Sequence, residues 1–342
     1  MYDLIIIGGG PAGVSAGIYA ARKKIKFLLI TENFGGQSVV ASEIQNWIGI
    51  KSISGFELAK KMEDHLMAQE GIEVEEGYMV EKVKKKSMRK APSPADGTLG
   101  ERAHTNKANF VVYLQNGKTF ETKTILATTG GKRRRLGVTG EKDFENKGVA
   151  YCSTCDAPMY AKKTVAIVGG GNAALGAVKD LSAYADKVYL LVRSENIKGD
   201  PVLFEEISAE GGSAFGGKKS KKVEILLNAE ITEIFGKEFV EGVKYLDKKD
   251  NSSTGSGQVK ELKLDGVFVE IGSVPNSEFL GDLVKKNKYN EIVVDYSNQK
   301  TSCEGIWAAG DVTDLPYRQN NISAGDGIKA ILSIKDYLNG GK

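Results

Sequence analysis

A run of β-forming residues that breaks into a glycine turn occurs twice in this chain, and it limits the possible folds more than any other feature. The first copy is Leu4-Ile5-Ile6-Ile7 followed by Gly8, Gly10 and Gly13. The second comes roughly 160 residues later, where the run Thr164 to Ala174 reads T-V-A-I-V-G-G-G-N-A-A, with Gly169, Gly171 and Ala174 in the G-x-G-x-x-A form. So short and uniformly apolar a run suits a strand buried on both faces. The first glycine of the motif permits a tight turn, the second lets backbone approach a pyrophosphate, and the third lets the next helix pack close to the strand. A helix from about Pro11 to Lys24 then aims its N-terminal N–H groups and positive dipole end at the phosphates. Two copies predict two dinucleotide sites.

The strand that follows each helix sets which dinucleotide fits. Lys26 to Ile30 ends at Thr31-Glu32. Glu32 lies about 20 residues past its turn, where an acid binds a ribose 2′-hydroxyl and repels a 2′-phosphate. Site one therefore suits FAD or NAD rather than NADP. In the second copy, Lys187 to Val192 ends in Arg193 and Ser194, with Lys198 following and no acid. An arginine in place of the acid favours a 2′-phosphate, hence NADPH, with NADH as the alternative.

Just before the second copy stands Tyr151 to Asp156, Y-C-S-T-C-D. Three cysteines are too few for a structural disulfide framework. Cys152 and Cys155 are then redox-active or metal-bound. Structural zinc wants about four ligands, whereas the only other cysteine is Cys303 and no histidine lies close in sequence. Cys303 itself is expected to be a buried small residue. A dithiol beside a dinucleotide site instead points to electrons passing from a nicotinamide through a flavin to a disulfide. Apolar content of 41% and charged content of 27% are ordinary for a soluble globular chain. The net charge of +3 gives no reason to invoke nucleic acid or an anionic membrane. With no apolar run near the roughly 20 residues of a membrane span and no signal peptide, the expected location is the cytoplasm.

Between these motifs, Asn33 to Ile50 is either a surface loop or a cover over a planar ring, with Gln37 and Asn46 as polar contacts. A helix is expected from about Gly55 to Gln69 with Phe56, Leu58, Met62 and Leu66 as apolar positions and His65 as a surface or cap residue. Strands are expected near Val74 to Val83, Phe110 to Leu114, Lys118 to Phe120 and Thr124 to Gly131, with Asn116-Gly117 as a hairpin turn. Lys84 to Lys107, which contains His104, and Gly211 to Lys222 read as inserts, and Asn251 to Gly257 as a loop. Lys132 to Arg135 is a solvated basic loop or a contact to phosphate or an acidic partner. Leu264 to Ile271 is expected to return the chain to the first domain. Gly305 to Asp311 suits a contact to a flavin chain. Ala324 to Gly327 is read as a helix start near the flavin pyrimidine, and Ile328 to Leu338 as a packing helix.

The stretches I-I-G-G-G-P-A-G, F-G-G-Q, the asparagine of Q-N-W, Y-C-S-T-C-D, V-G-G-G-N-A-A, I-G-S-V-P-N, A-A-G-D and Y-R-Q together resemble the low-molecular-weight thioredoxin reductase family. The chain is similar also to the alkyl hydroperoxide reductase flavoprotein subunit without its N-terminal thioredoxin-like part. The resemblance implies an α/β fold of two nested Rossmann-like, FAD/NAD(P)-binding domains in three ββα layers. FAD would occupy residues 1–134 and 265–342, and NAD(P)H the inserted 135–264, which carries the dithiol. It implies a homodimer that acts on a thioredoxin-like or peroxiredoxin-linked protein disulfide, with no nucleic acid or membrane involved. It also implies that one domain rotates against the other, with hinges near Gly130 to Gly137 and Gly266 to Gly272.

By the same resemblance Cys155 faces the flavin, Cys152 attacks the partner disulfide, and Asp156 holds and shuttles the proton. Together these readings name Gly8, Gly10, Pro11, Ala12, Gly13, Glu32, Gly36, Gln37, Asn46, Thr129, Gly130, Gly310, Asp311, Arg318 and Gln319 as candidate FAD contacts. Gly169, Gly171, Asn172, Ala174, Arg193 and Lys198 are the candidate NAD(P)H contacts, and no metal is expected. The chain departs from the family in one place that matters. Thioredoxin reductases usually carry H-R-R-x-x-x-R after the second strand, and the alkyl hydroperoxide type an acid where Val192 stands. Val192-Arg193-Ser194 with Lys198 fits neither, which leaves three alternatives open: NADH with a peroxiredoxin-linked or glutaredoxin-like acceptor, a donor other than a nicotinamide, or a redox sensor that does not turn over.

Overall fold

The computed structural model describes residues 1–41, 43–86, 110–209, 222–248 and 258–340. The inserts expected at Lys84 to Lys107 and Gly211 to Lys222, His104, and the loop Asn251 to Gly257 fall outside these residues, apart from 84–86 and 222. The chain divides into two compact units, Met1–Lys132 with Val274–Lys342, and Arg133–Ser273.

In the first unit Tyr2–Gly9 lies between Phe27–Phe34 and Thr119–Ala127, parallel to both, with Ile6 opposite Leu29 on one side and Leu126 on the other. The sheet runs Val74–Glu76, Phe27–Phe34, Tyr2–Gly9, Thr119–Ala127, Phe110–Leu114, Val80–Lys85, and Ile306–Ala308 also pairs with Thr119–Ala127 in parallel. Because the first four strands and Ile306–Ala308 all point the same way, their C-terminal ends share one edge. Successive side chains of a strand face opposite sides. Leu4 and Ile6 accordingly pack with residues of the helices Pro11–Arg22, Gly55–Met67 and Asn320–Leu338, while Ile5 and Ile7 pack with Val112, Phe279 and Ile292. This is the burial on both faces that the uniformly apolar run calls for.

The structure corrects several expectations. The stretch Val74 to Val83 is two strands, broken at Gly77, whose φ of +86° turns the chain. Lys118 to Phe120 and Thr124 to Gly131 are largely one strand, Thr119–Ala127, entered from the Asn116-Gly117 turn, where Gly117 has φ +83° and the Asn116 side chain accepts the Lys118 N–H at 3.0 Å. Helix Gly55–Met67 opens on a capping box between Ser54 and Glu57. Phe56 sits in its first turn and is 68% exposed, so only Leu58, Met62 and Leu66 of the expected stripe are buried. Ala324 to Gly327 is no helix start. The helix begins at Asn320, and Gly327 lies inside it because a Cβ there would meet the Ala12 carbonyl oxygen at 2.2 Å. Cys303 is half-buried, and burial raises its thiol pKa.

The second unit has a five-stranded parallel sheet in the order Val223–Leu227, Lys187–Val192, Thr164–Val168, Gly266–Val269, Val149–Ala150. Val165 and Ile167 pack with helix Asn172–Ser182 on one face. Ala166 and Val168 pack on the other with Ile231, Val243 and Tyr245 of an antiparallel sheet, Ala229–Gly236, Val240–Asp247 and Gln258–Lys263. Two sheets and a helical layer make the three-layer ββα arrangement. The strand Gly266–Val269, expected to carry the chain back to the first domain, instead pairs with Thr164–Val168 and Val149–Ala150 inside the second unit. The return falls after Ser273. Gly266 lies within this strand, where its missing side chain makes room for the Tyr160 ring, 2.2 Å from where a Cβ would stand.

Candidate functional site

The C-terminal edge of the first unit's parallel strands opens on a cavity of about 630 Å³. Open α/β sheets bind ligands outside this edge, where neighbouring strands lead to opposite sides. Gly8, Gly10, Pro11 and Ala12 line it from the first turn, Glu32 from the end of Phe27–Phe34, Gly36 and Gln37 from the following turn, Thr129 and Gly130 from the end of Thr119–Ala127, and Gly310 and Asp311 from beyond Ile306–Ala308. Each glycine of the turn has its own reason. Gly8, at φ +115°, passes so close to Thr128 that a Cβ would stand 2.4 Å from its carbonyl oxygen. A Cβ on Gly13 would stand 1.8 Å from the Gly8 oxygen, so Gly13 packs beneath the turn rather than lining the cavity. A Cβ on Gly10 would meet nothing within 4 Å, and this residue N-caps helix Pro11–Arg22 without a side-chain hydrogen bond. The first N–H groups of that helix thus face space suited to a phosphate. An acid at the second strand end, an anion-ready helix start and a cavity of this size fit a dinucleotide.

Besides Gly13, three expected contacts do not line this cavity: Asn46, Arg318 and Gln319. The Asn46 side chain donates to that of Gln319 at 3.1 Å, and Arg318 pairs with Glu291. Gln37 reaches the cavity and donates to the Gly131 carbonyl. Asn276 and Ser323 line the cavity unexpectedly. Asn276 donates from Nδ2 to the Thr129 carbonyl at 2.9 Å, and its own carbonyl accepts from the Thr129 hydroxyl at 2.6 Å, closing the end of the strand. Its signal was available in V-P-N.

In the second unit the parallel strands again bring their C-terminal ends to one edge. Gly169 leads out of Thr164–Val168, and a Cβ on it would meet the Glu270 carbonyl oxygen at 2.3 Å. Gly171 N-caps helix Asn172–Ser182, with open space where its Cβ would be, and Ala174 packs inside. Arg193 is exposed just past Lys187–Val192. The segment after it folds back over the glycine turn: the Lys198 N–H donates to the Gly170 oxygen at 2.7 Å, and Asn172 Oδ1 accepts the Asp200 N–H at 2.6 Å. These two hydrogen bonds tie the segment carrying Lys198 to the glycine turn.

The dithiol stands at the same edge, because Val149–Ala150 is parallel to its neighbours and leads directly into it. Cys152 and Cys155 are joined as a disulfide, with Cα atoms 5.3 Å apart. Cys152 caps the short helix Ser153–Asp156, and its sulfur accepts the Cys155 N–H at 3.2 Å. Asp180 holds this turn by accepting from the Ser153 hydroxyl at 2.8 Å and the Thr154 hydroxyl at 3.0 Å. Asp156 is partly buried, and burial pushes its pKa up to about 6, with Arg133 acting in the opposite direction. Glu270 stands beside the same turn. Burial pushes it up to about 7, against the Ser153 backbone hydrogen bond and Arg133, while Asp180 and Asp156 add to the rise. Nothing in its sequence surroundings marked Glu270, because only the sheet brings it here.

Of the basic run, Arg135 is already paired, with Glu145 at 2.7 Å and the Tyr151 hydroxyl at 3.2 Å. That hydroxyl donates to buried Glu141 at 2.9 Å. Lys132, Arg133 and Arg134 are exposed. Among the described residues no helix is long and apolar enough to cross a membrane.

Comparison with known proteins places these features in a family. Residues 2–327 match the pyridine nucleotide-disulphide oxidoreductase family. The chain is 36% identical over 337 residues to the NADH dehydrogenase of Bacillus subtilis (strain 168), covering 98% of this chain and 58% of that protein. It is 35% identical over 339 residues to an alkyl hydroperoxide reductase subunit of Escherichia coli (strain K12), again over 98% and 58%. It thus spans little more than half the length of these relatives. The thioredoxin reductase of Streptococcus pyogenes MGAS5005 superposes with a TM-score of 0.82 at 30% identity, over 99% of this chain and 98% of that one. Two glycine-turn units, one of them carrying a Cys-x-x-Cys disulfide at its sheet edge, are accounted for together: the chain belongs to the pyridine nucleotide-disulphide oxidoreductase family.

Proposed function

We propose that the chain is an FAD-dependent dithiol–disulfide oxidoreductase that passes electrons from NADPH, through FAD and the Cys152/Cys155 pair, to a thioredoxin-like protein. The observation that carries this reading is the Cys152–Cys155 disulfide at the sheet edge that also bears the Gly169 turn, with Asp156 partly buried directly behind it. FAD would be held by the Gly8–Gly13 turn, Glu32 and the Thr129–Gly130 strand end, and when bound it supplies a carrier between a two-electron donor and a disulfide. Arg193 and Lys198 would hold the donor's 2′-phosphate.

Once the pair is reduced, the thiolate of Cys152 attacks one sulfur of the partner's disulfide and the other sulfur leaves as a thiolate. Cys155 then attacks Cys152, which re-forms the intramolecular disulfide and releases the partner's second sulfur. The partner gains two electrons and two protons, and the pair gives up two electrons and two protons. A carboxyl with a pKa of about 6 holds a proton for part of the time near neutral pH, which suits Asp156 to hand protons to the departing thiolates. A thiol-reducing compartment, the cytoplasm, suits such a pair. A homodimer is part of the proposal on family resemblance.

The chain's similarity to an NADH dehydrogenase and to an alkyl hydroperoxide reductase subunit, with a single arginine past the second strand, favours one further reading. Here NADH is the donor and the acceptor is a peroxiredoxin-linked or glutaredoxin-like carrier. Anaerobic titration of the yellow protein with each nicotinamide, followed at the flavin band, decides between them. Rapid bleaching by NADPH and slow bleaching by NADH is the expected result. Equal or faster bleaching by NADH moves the assignment to the second reading, and no bleaching by either overturns both.

A further inference from the structure

Glu270 follows directly on strand Gly266–Val269, and its backbone is fixed twice. Its N–H donates to the Val168 oxygen at 2.9 Å, and its own carbonyl lies against Gly169 so closely that only glycine fits there. Its side chain turns to the dithiol, with Oε1 accepting the N–H of Ser153 at 3.2 Å. Ser153 is the first residue of the helix capped by Cys152. One residue thus touches the nucleotide turn with its backbone and the dithiol turn with its carboxylate. The other charged groups that act on it are Arg133, Asp180 and Asp156. Asp180 is engaged by the hydroxyls of Ser153 and Thr154, and Asp156 follows Cys155 as the last residue of the helix.

Resting on the dithiol–disulfide function proposed above, we infer that Glu270 is a positioning residue whose ionisation is coupled to that of the reduced Cys152 thiol, so that the two share one proton. Breaking the disulfide with two electrons leaves two sulfurs that need two protons, or one if a thiolate persists. A carboxylate held on the N–H of Ser153, the residue next to Cys152, disfavours a second negative charge on that sulfur. A neutral carboxyl permits it. The exchange of a carboxylate and a thiol for a carboxylic acid and a thiolate moves no net proton to or from solvent. Glu270 would thereby hold the proton of Cys152 while the thiolate attacks the partner. Burial raises the pKa of Glu270, which favours its neutral form, and coupled groups of this kind titrate as a pair rather than singly.

The test needs neither nicotinamide nor a partner protein. In flavin-loaded protein carrying Cys155→Ser, reduced with excess dithiothreitol that is then removed, the rate of Cys152 alkylation by iodoacetamide is measured from pH 5 to 9. Peptide mass spectrometry separates Cys152 from Cys303. The expected profile has two steps. Adding Glu270→Gln keeps an oxygen to accept the Ser153 N–H but removes the charge. It should merge the steps and lower the half-maximal pH by about one unit, giving roughly tenfold more thiolate well below it. Superimposable profiles for the two proteins overturn the inference. Should the glutamine variant fail to fold, as read by circular dichroism and flavin content, a one-step profile in the Cys155→Ser protein overturns it alone and a two-step profile supports it. Failure of the NADPH and NADH titrations would remove the proposed function and leave this measurement standing.

Discussion

Two carboxyls flank one disulfide, and their unusual ionisation is a statement about stability as well as chemistry. Burial raises Asp156 from 3.8 to about 6, so the folded state binds its proton more tightly than the unfolded chain does. The resulting contribution to stability is fully present below about pH 4 and is lost as pH rises through about 6. Asp156→Asn, which cannot ionise, should therefore be more stable than the parent at pH 8, by on the order of 1–3 kcal/mol. The two should converge near pH 4. Urea unfolding of the oxidised proteins at both pH values checks this, and an equal difference at the two pH values would contradict it. At the same scale, Cys152→Ser should abolish reduction of a protein disulfide while flavin bleaching by the donor persists. Stopped-flow bleaching set beside steady-state turnover measures both, and undiminished turnover would remove Cys152 from its role.

Among the elements, the contact between helices Pro11–Arg22 and Asn320–Leu338 shows how a glycine can mislead a reader of sequence. Ala324-Gly325-Asp326-Gly327 has the composition of a helix start, yet it lies inside the helix. Glycine weakens a helix interior by roughly 0.5–1 kcal/mol relative to alanine, a cost offset here by close packing. A Cβ on Gly327 would stand 2.2 Å from the Ala12 oxygen and 2.7 Å from the Ser15 hydroxyl, while Ser15 donates to the Ala324 carbonyl at 2.8 Å across the same contact. Gly327→Val should push the helices apart and cost about 1–3 kcal/mol. Because Ala12 also lines the cavity, the variant should bind FAD more weakly. Thermal unfolding and the flavin-to-protein absorbance ratio read the two effects, and an unchanged melting temperature would refute the packing argument.

For the molecule as a whole, the buried hydrophobic residues among the described ones fall into four clusters, two in each unit, and none of these mixes residues of both. Each unit thus has its own core on both faces of its own largest sheet. Chains built this way commonly depart from two-state unfolding. Calorimetry should resolve two transitions. Added FAD should raise one and added NADPH the other, since a ligand stabilises the state that binds it. One transition shifted equally by both ligands would show that the units unfold together.

Sequence alone determined the features that depend on local spacing. The buried strands, the reason for Gly8 and Gly13, and Glu32 at the end of the second strand all follow from periodicity, turn geometry and short separations. Only tertiary structure decided what depends on which distant segments share an edge. It put Gly266–Val269 in the second sheet, because pairing with Thr164–Val168 is a matter of neighbours and not of composition. It left Asn46, Arg318 and Gln319 off the cavity wall and brought Asn276 to it. It also set Glu270 against Ser153 across 117 residues. A carboxyl so placed has no local signature: its burial and its partner exist only once five parallel strands end side by side.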